Sequence, residues 1–177
     1  FSDVEQTDAL TGQTDGLLSR LTAKGKVPKI MYTYTPSEYW GGHGALVHVD
    51  LTGTRDLDVP PEVRIYHIAG TQHGLGAFPF VSEDVNGSKA QQFFNCLDYR
   101  PLLRAAVVNL NKWVTSGEPP PASKYPRIDD GTAVAPESLS GIIEAIPGMN
   151  FPHPLRRFTR LDFGPQVGIA SNAPPIV

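Results

Sequence analysis

Val63 to Gly74, VRIYHIAGTQHG, is the stretch on which the reading of the fold turns. Val63, Ile65 and Ile68, with Tyr66, make a short β-branched and aromatic run of strand length. Pro60-Pro61 and Gly70 punctuate it at its two ends. Just past the strand's carboxyl end, among Gly70, Gly74 and Gly76, stands His73. In open α/β sheets, ligands and chemistry collect on the loops beyond the carboxyl ends of strands. Glycines there let backbone and substrate come close, and an imidazole there is placed to act as a proton-transfer base. A loop histidine that merely makes a hydrogen bond is the plainer alternative.

Working upstream, Lys29 to Thr35, KIMYTYT, alternates as a strand does, and Pro36 stops it. Ser37-Glu38-Tyr39-Trp40 follows, then the glycine-rich Gly41 to Gly44. About 27 residues separate Thr35 from Val63, room for the crossover of a dozen or more that parallel neighbours need. Such a connection would be right-handed and would deliver both following loops, with Glu38 and His73, to one edge of the sheet. Ala45 to Leu51 reads as a helical turn or two or as ordered loop, and Thr52 to Pro61 as loop. Nearer the start, Asp15 is placed to cap a helix over Gly16 to Ala23, with Leu17, Leu18 and Leu21 at helical spacing and Gly25 ending it. Phe1 to Gln13 is polar and reads as irregular.

Downstream, Leu75 to Asn95 shows no period and reads as a lid over the site or as a plain surface loop. The strongest helical pattern follows Asp98. Pro101 suits a first turn, and Leu102, Leu103, Ala106, Val107, Leu110, Trp113 and Val114 recur at helical spacing until Gly117. This predicts an amphipathic helix on the sheet face with Trp113 in the core. Beyond it, Pro119 to Pro121 suggest a stiff polyproline-like turn, Asp130-Gly131 a tight turn, and Thr132 to Ala135 a short strand. Phe151 to Val177 reads as irregular, and the closing Ile176-Val177 as a chain cut short.

The length of 177 residues fits one domain, and 40% hydrophobic residues suffice for a core. A net charge of -3 gives no electrostatic case for nucleic acid or an anionic membrane, and no apolar run reaches membrane-spanning length. Cys96 stands alone, which excludes an intrachain disulfide framework and a cysteine-based zinc cluster. Seventeen Gly and 17 Pro lie above the usual share and point to a loop-rich second half. The chain opens on Phe1 rather than Met, so its compartment stays open, secretion and periplasm included.

Acyl-transfer chemistry needs a nucleophile, a base to take its proton and a carboxylate to orient that base. His73 is the candidate base and Glu38 the candidate carboxylate, with Asp50, Asp56 and Asp58 as competitors. The nucleophile has no candidate. No G-x-S-x-G elbow occurs, Ser88 and Ser140 sit in the wrong pattern, and Cys96 lies in no motif. The rival chemistry is a metal site on His43, His48 and His73 with Glu38 or Asp50, although His43 and His48 are five apart rather than four. No Walker loop or dinucleotide fingerprint is present, and no cofactor is implied.

Through EYWGG, GTRDLD, RIYHIAGTQHG, the block from Asp98 to Thr132 and LDFGP, the chain resembles the α/β hydrolase domain family of esterase-like proteins. That resemblance implies an α/β fold of parallel strands with crossover helices, here the C-terminal portion of an α/β hydrolase. His73 then matches the catalytic histidine, Glu38 the acid, and Pro101 to Ser116 the final packing helix. It further implies that residues 1–177 are one incomplete domain. The nucleophile half would be the missing N-terminal part of the same fold, on a longer chain or a second polypeptide. The implied activity is serine hydrolysis of a small-molecule ester. A non-catalytic binding module on the same fold and a metal-assisted hydrolase are the alternatives.

Overall fold

The computed structural model describes residues 2–9, 11–155, 159–162 and 171–175, the last two stretches by backbone alone. They fall into two compact units, one from residues 1–48 and 57–125, the other from 49–56 and 126–177. Among the described residues no helix is long and apolar enough to cross a membrane.

The first unit opens with two short strands, β1 (Gln6–Thr7) and β2 (Thr14–Asp15), paired antiparallel. The start of the chain is therefore not irregular. Asp8 N–H donates to the Gln13 carbonyl at 2.8 Å, and Gly12 takes a φ of 69° to close the turn. Helix α1 spans only Ser19–Ala23, not Gly16 to Ala23. The Leu17 and Leu18 N–H groups donate to Ser2 and Asp3 carbonyls at 2.8 and 3.0 Å, so the amino-terminal segment takes them. Asp15 accepts from the adjacent Gly16 N–H and caps no helix.

Strands β3 (Ile30–Tyr34) and β4 (Val63–His67) run parallel, with Ile30 opposite Val63 and Tyr34 opposite His67. Ile30, Tyr32 and Tyr34 share a face with Val63 and Ile65, as period-2 geometry requires. That face packs with Leu18, Val27, Val47, Val59 and Tyr125 as the core. The crossover holds a π-type turn at Ser37–Gly41 and a 3₁₀ turn at Gly44–Val47, so the first of the two readings of Ala45 to Leu51, a helical turn, holds for its opening residues. The outer edge of β4 takes residues 123–125 after the proline turn. His67 N–H donates to the Lys124 carbonyl and Lys124 N–H to the Ile65 carbonyl, both at 2.8 Å.

Helix α2 (Arg100–Ser116) ends at Gly117, whose φ of 73° suits a left-handed cap. Trp113 is buried, with Lys29 Nζ and Arg64 Cζ 4.9 and 4.8 Å from its ring centroid. The expected full apolar stripe against the sheet is not found. Leu103, Ala106 and Leu110 are half-buried, but Leu102, Val107, Val108 and Val114 are more than half exposed. Among the described residues α2 meets chiefly β3, which has β4 on one side only, so part of the helix has no strand beneath it.

In the second unit, Val49 and Asp56 form an antiparallel bridge around a turn. Thr132 to Ala135 is not a strand. The Thr132 hydroxyl accepts from Arg127 N–H at 2.8 Å and Ala133 N–H donates to the Arg127 carbonyl at 2.7 Å, which folds the segment into a turn. A 3₁₀ turn at Pro136–Leu139 leads into α3 (Ser140–Glu144). The expectation of irregular chain beyond Phe151 fails where β5 (Thr159–Asp162) pairs antiparallel with β6 (Ser171–Pro175). Pro174 and Pro175 in β6 suit a strand that, among the described residues, pairs on one side only. The Phe163 to Pro165 part of LDFGP and the closing Ile176-Val177 lie outside the described residues.

Candidate active site

The register of β3 and β4 decides where the candidate groups stand. Tyr34 and His67 are partners, so both strands end level, and Ile68 N–H closes the ladder on the Tyr34 carbonyl at 2.8 Å. Glu38 lies a few residues past one end and His73 a few residues past the other. The structure brings the two together: His73 Nδ1 and Glu38 Oε1 are hydrogen-bonded.

The Glu38 loop is fixed from within. Glu38 Oε2 accepts from the Thr35 backbone N–H at 2.9 Å and from the Thr35 hydroxyl, and Thr35 itself is buried. Tyr39, almost wholly buried, pins the turn, with its hydroxyl 2.7 Å from His48 Nε2 and its ring 4.6 Å from that of His67. The glycines after it have a steric purpose. A Cβ on Gly42 would stand 2.9 Å from the Glu38 carbonyl oxygen, and one on Gly44 3.0 Å from it and from the Tyr34 ring. Burial alone would raise the Glu38 pKa. Hydrogen bonds from the Thr35 hydroxyl, the His73 ring and the local backbone outweigh it and hold the carboxyl at about 2.

That ionisation settles the tautomer by chemistry. A carboxylate has no hydrogen to give, so the shared hydrogen sits on His73 Nδ1. In the neutral ring Nε2 then carries the lone pair that can take a proton. The His73 side chain is largely exposed. Its loop is braced from beyond the lid-like segment. Tyr99 hydroxyl donates to the His73 carbonyl at 2.6 Å, and Asn95 N–H donates to Gln72 Oε1 at 2.8 Å. The Asn95 side-chain amide reaches the Gly70 carbonyl, and Thr71, buried, donates to the Ile68 carbonyl at 2.6 Å.

The competing carboxylates are engaged locally. Asp50 accepts from Thr54 and Arg55 N–H groups at 2.7 and 3.1 Å, and these bonds with the Thr52 hydroxyl outweigh burial to hold it at about 2. Asp56 accepts from Asp129 N–H at 3.0 Å and lies 3.5 Å from Arg127 Nε. Asp58 is exposed. Of the histidines proposed as ligands, His48 is buried against Tyr39, and His43 sits at a φ of 60° before the 3₁₀ turn. Among the described residues no three His, Cys, Asp or Glu side chains gather as ligands of a metal. Ser88 lies in an exposed turn, where its N–H donates to Asp84, and Ser140 opens α3. Among the described residues Glu38 is the partner of the His73 ring, and no hydroxyl or thiol joins it.

Sequence reasoning missed Thr35, Asn95 and Tyr99. Thr35 had a signal, a hydroxyl three residues before a carboxylate at a strand end. Asn95 and Tyr99 lie in no pattern that links them to His73.

The parallel pair β3–β4 with its crossover is an α/β arrangement, and the loops beyond its carboxyl ends carry Glu38 and His73. The chain belongs to the alpha/beta hydrolase domain family, which matches it over residues 2–153. No curated protein matches it, and neither does any solved structure.

Proposed function

We propose that the chain carries the acid and the base of a serine hydrolase acting on an ester or related acyl bond. In this reading His73 Nε2 takes the proton of an attacking serine and returns it to the leaving group. Glu38 holds the ring and stabilises the imidazolium as it forms. The serine, with its oxyanion hole, belongs to residues outside these 177, since no G-x-S-x-G occurs in them. In that sense the chain is the C-terminal, acid-and-histidine portion of the fold.

The observation that carries the reading is the Glu38–His73 hydrogen bond at the level ends of β3 and β4. Family membership supports the reaction class and not the substrate. The test uses the complete protein, a fluorophosphonate label and simple p-nitrophenyl esters. His73→Ala should cut kcat by about 10⁴-fold, and labelling should fall with it. Turnover within tenfold of wild type would reject His73 as the base, and a wild type that neither labels nor hydrolyses would favour a binding module.

A further inference from the structure

His73 lies five residues past Ile68, whose N–H makes the last bond of the β3–β4 ladder. Unheld, a chain of that length could carry the ring anywhere within roughly 17 Å of the strand end. Pairing with Glu38 needs a contact of about 3 Å. The pair cannot supply that precision alone, because the His73 side chain is largely exposed and an exposed pair stabilises too little to hold both partners in one geometry.

The restraint comes from further along the chain. Asn95 N–H donates to Gln72 Oε1 at 2.8 Å, its carbonyl accepts from Gly76 N–H at 2.8 Å, and its side-chain N–H donates to the Gly70 carbonyl. Its side-chain oxygen accepts from Leu97 N–H at 2.8 Å, so each of its polar groups is used. The loop is thus gripped on both sides of His73, and the Tyr99 hydroxyl grips His73 itself, donating to its carbonyl at 2.6 Å. Tyr99 is also the cap residue of α2, and its carbonyl accepts from Leu102 and Leu103 N–H at 3.0 and 3.3 Å. Helix α2 packs on β3, the strand that leads into Glu38. Carboxylate and imidazole are therefore both referred to one strand, the first by its own turn and the second through Tyr99 and α2. We infer that Asn95 and Tyr99 are positioning residues for His73, a clasp that sets the imidazole against Glu38. The inference rests on the reading of His73 as the base and adds the groups that aim it. Between the jaws of the clasp, residues 77–94 form an aromatic arm that folds on itself. Phe94 N–H donates to the Val81 carbonyl at 2.8 Å and Ala90 N–H to Ser82 at 2.9 Å, and Phe78, Phe80 and Phe93 are in ring contact. A disturbance at the arm's tip should stop at the clasp.

The test reads the ring directly in the complete protein, by the nitrogen-15 shifts of His73 in slightly alkaline buffer, where an imidazole is neutral. The wild type should show the hydrogen on Nδ1. Tyr99→Phe with Asn95→Asp deletes two bonds at nearly constant size, since the aspartate keeps an oxygen for Leu97 N–H and turns another to the Gly70 carbonyl. In this double variant both tautomers should be populated while the β4 amides keep their protection from hydrogen exchange. Its kcat on p-nitrophenyl acetate should fall by about 10²-fold, with KM held within about twofold. Asp84→Ala, which releases the Asn86 and Ser88 N–H groups at the arm's tip, should change neither reading. Should the double variant lose β4 protection, Tyr99→Phe alone carries the same readings. Ring shifts that stay at their wild-type values would overturn the clasp, as would a wild type whose hydrogen is not fixed on Nδ1. Tautomers that mix on a protected fold, in a protein that hydrolyses no ester, would uphold the clasp and overturn the hydrolase reading alone.

Discussion

Glu38 uses its two oxygens for different partners, Oε2 for Thr35 and Oε1 for His73. Thr35→Val keeps the backbone N–H and deletes only the hydroxyl. Glu38 should then titrate upward from about 2 towards its ordinary 4.5, as followed by carboxyl-carbon NMR shifts. A titration that stays put would show that the hydroxyl contributes nothing. The folded-state value lies below the unfolded one, so the charged form stabilises the fold above pH 4.5, and this fades as pH falls towards 2. The gap in urea midpoint between wild type and Glu38→Gln should accordingly be full at neutral pH and close in acid; a gap independent of pH would assign it to packing. At this scale Glu38 and His73 were legible because each follows a strand-like run cut off by Pro36 or Gly70. The donors that fix them were not, because a hydrogen bond across 23 or 26 residues leaves no trace in local spacing.

Among the elements, α2 and the aromatic arm depend on single close approaches. Trp113→Ala should cost about 3 kcal/mol, since it empties a buried site and removes the ring beneath Lys29 and Arg64. Trp113→Phe should recover part of that loss in thermal unfolding. Gly76→Ala should cost about 1–3 kcal/mol, because the added methyl meets backbone as well as side-chain atoms of Phe94. Gly74→Ala, where a Cβ would meet nothing within 4 Å, is the control, and equal losses in the two would contradict the packing argument. The sequence announced α2 and its buried tryptophan through apolar period together with Pro101 in the first turn and Gly117 at the end. It did not announce which apolar positions stay bare, for that depends on how many strands lie beneath the helix.

For the whole chain, the expected parallel pair is present, while short antiparallel pairs at both ends escaped notice. Strands of two residues, as β1 and β2 are, carry too few positions for a period to register, and β6, SNAPP, has polar residues and prolines where a strand pattern would need β-branched ones. Inside the first unit β4 has a neighbour on each edge, β3 and residues 123–125. Its amides should exchange with solvent more slowly than those of residues 75–95 in hydrogen-exchange mass spectrometry. Equal protection would mean that the arm opens only with the core. The cradle of Glu38 closes over three residues of chain, whereas the imidazole comes from 35 residues away. So brief a closure costs little chain entropy. The negative charge is therefore seated by contacts that end with the corner after β3, and the berth for the ring needs nothing from the later loop. Damage to the later loop should leave that berth standing empty rather than collapsed.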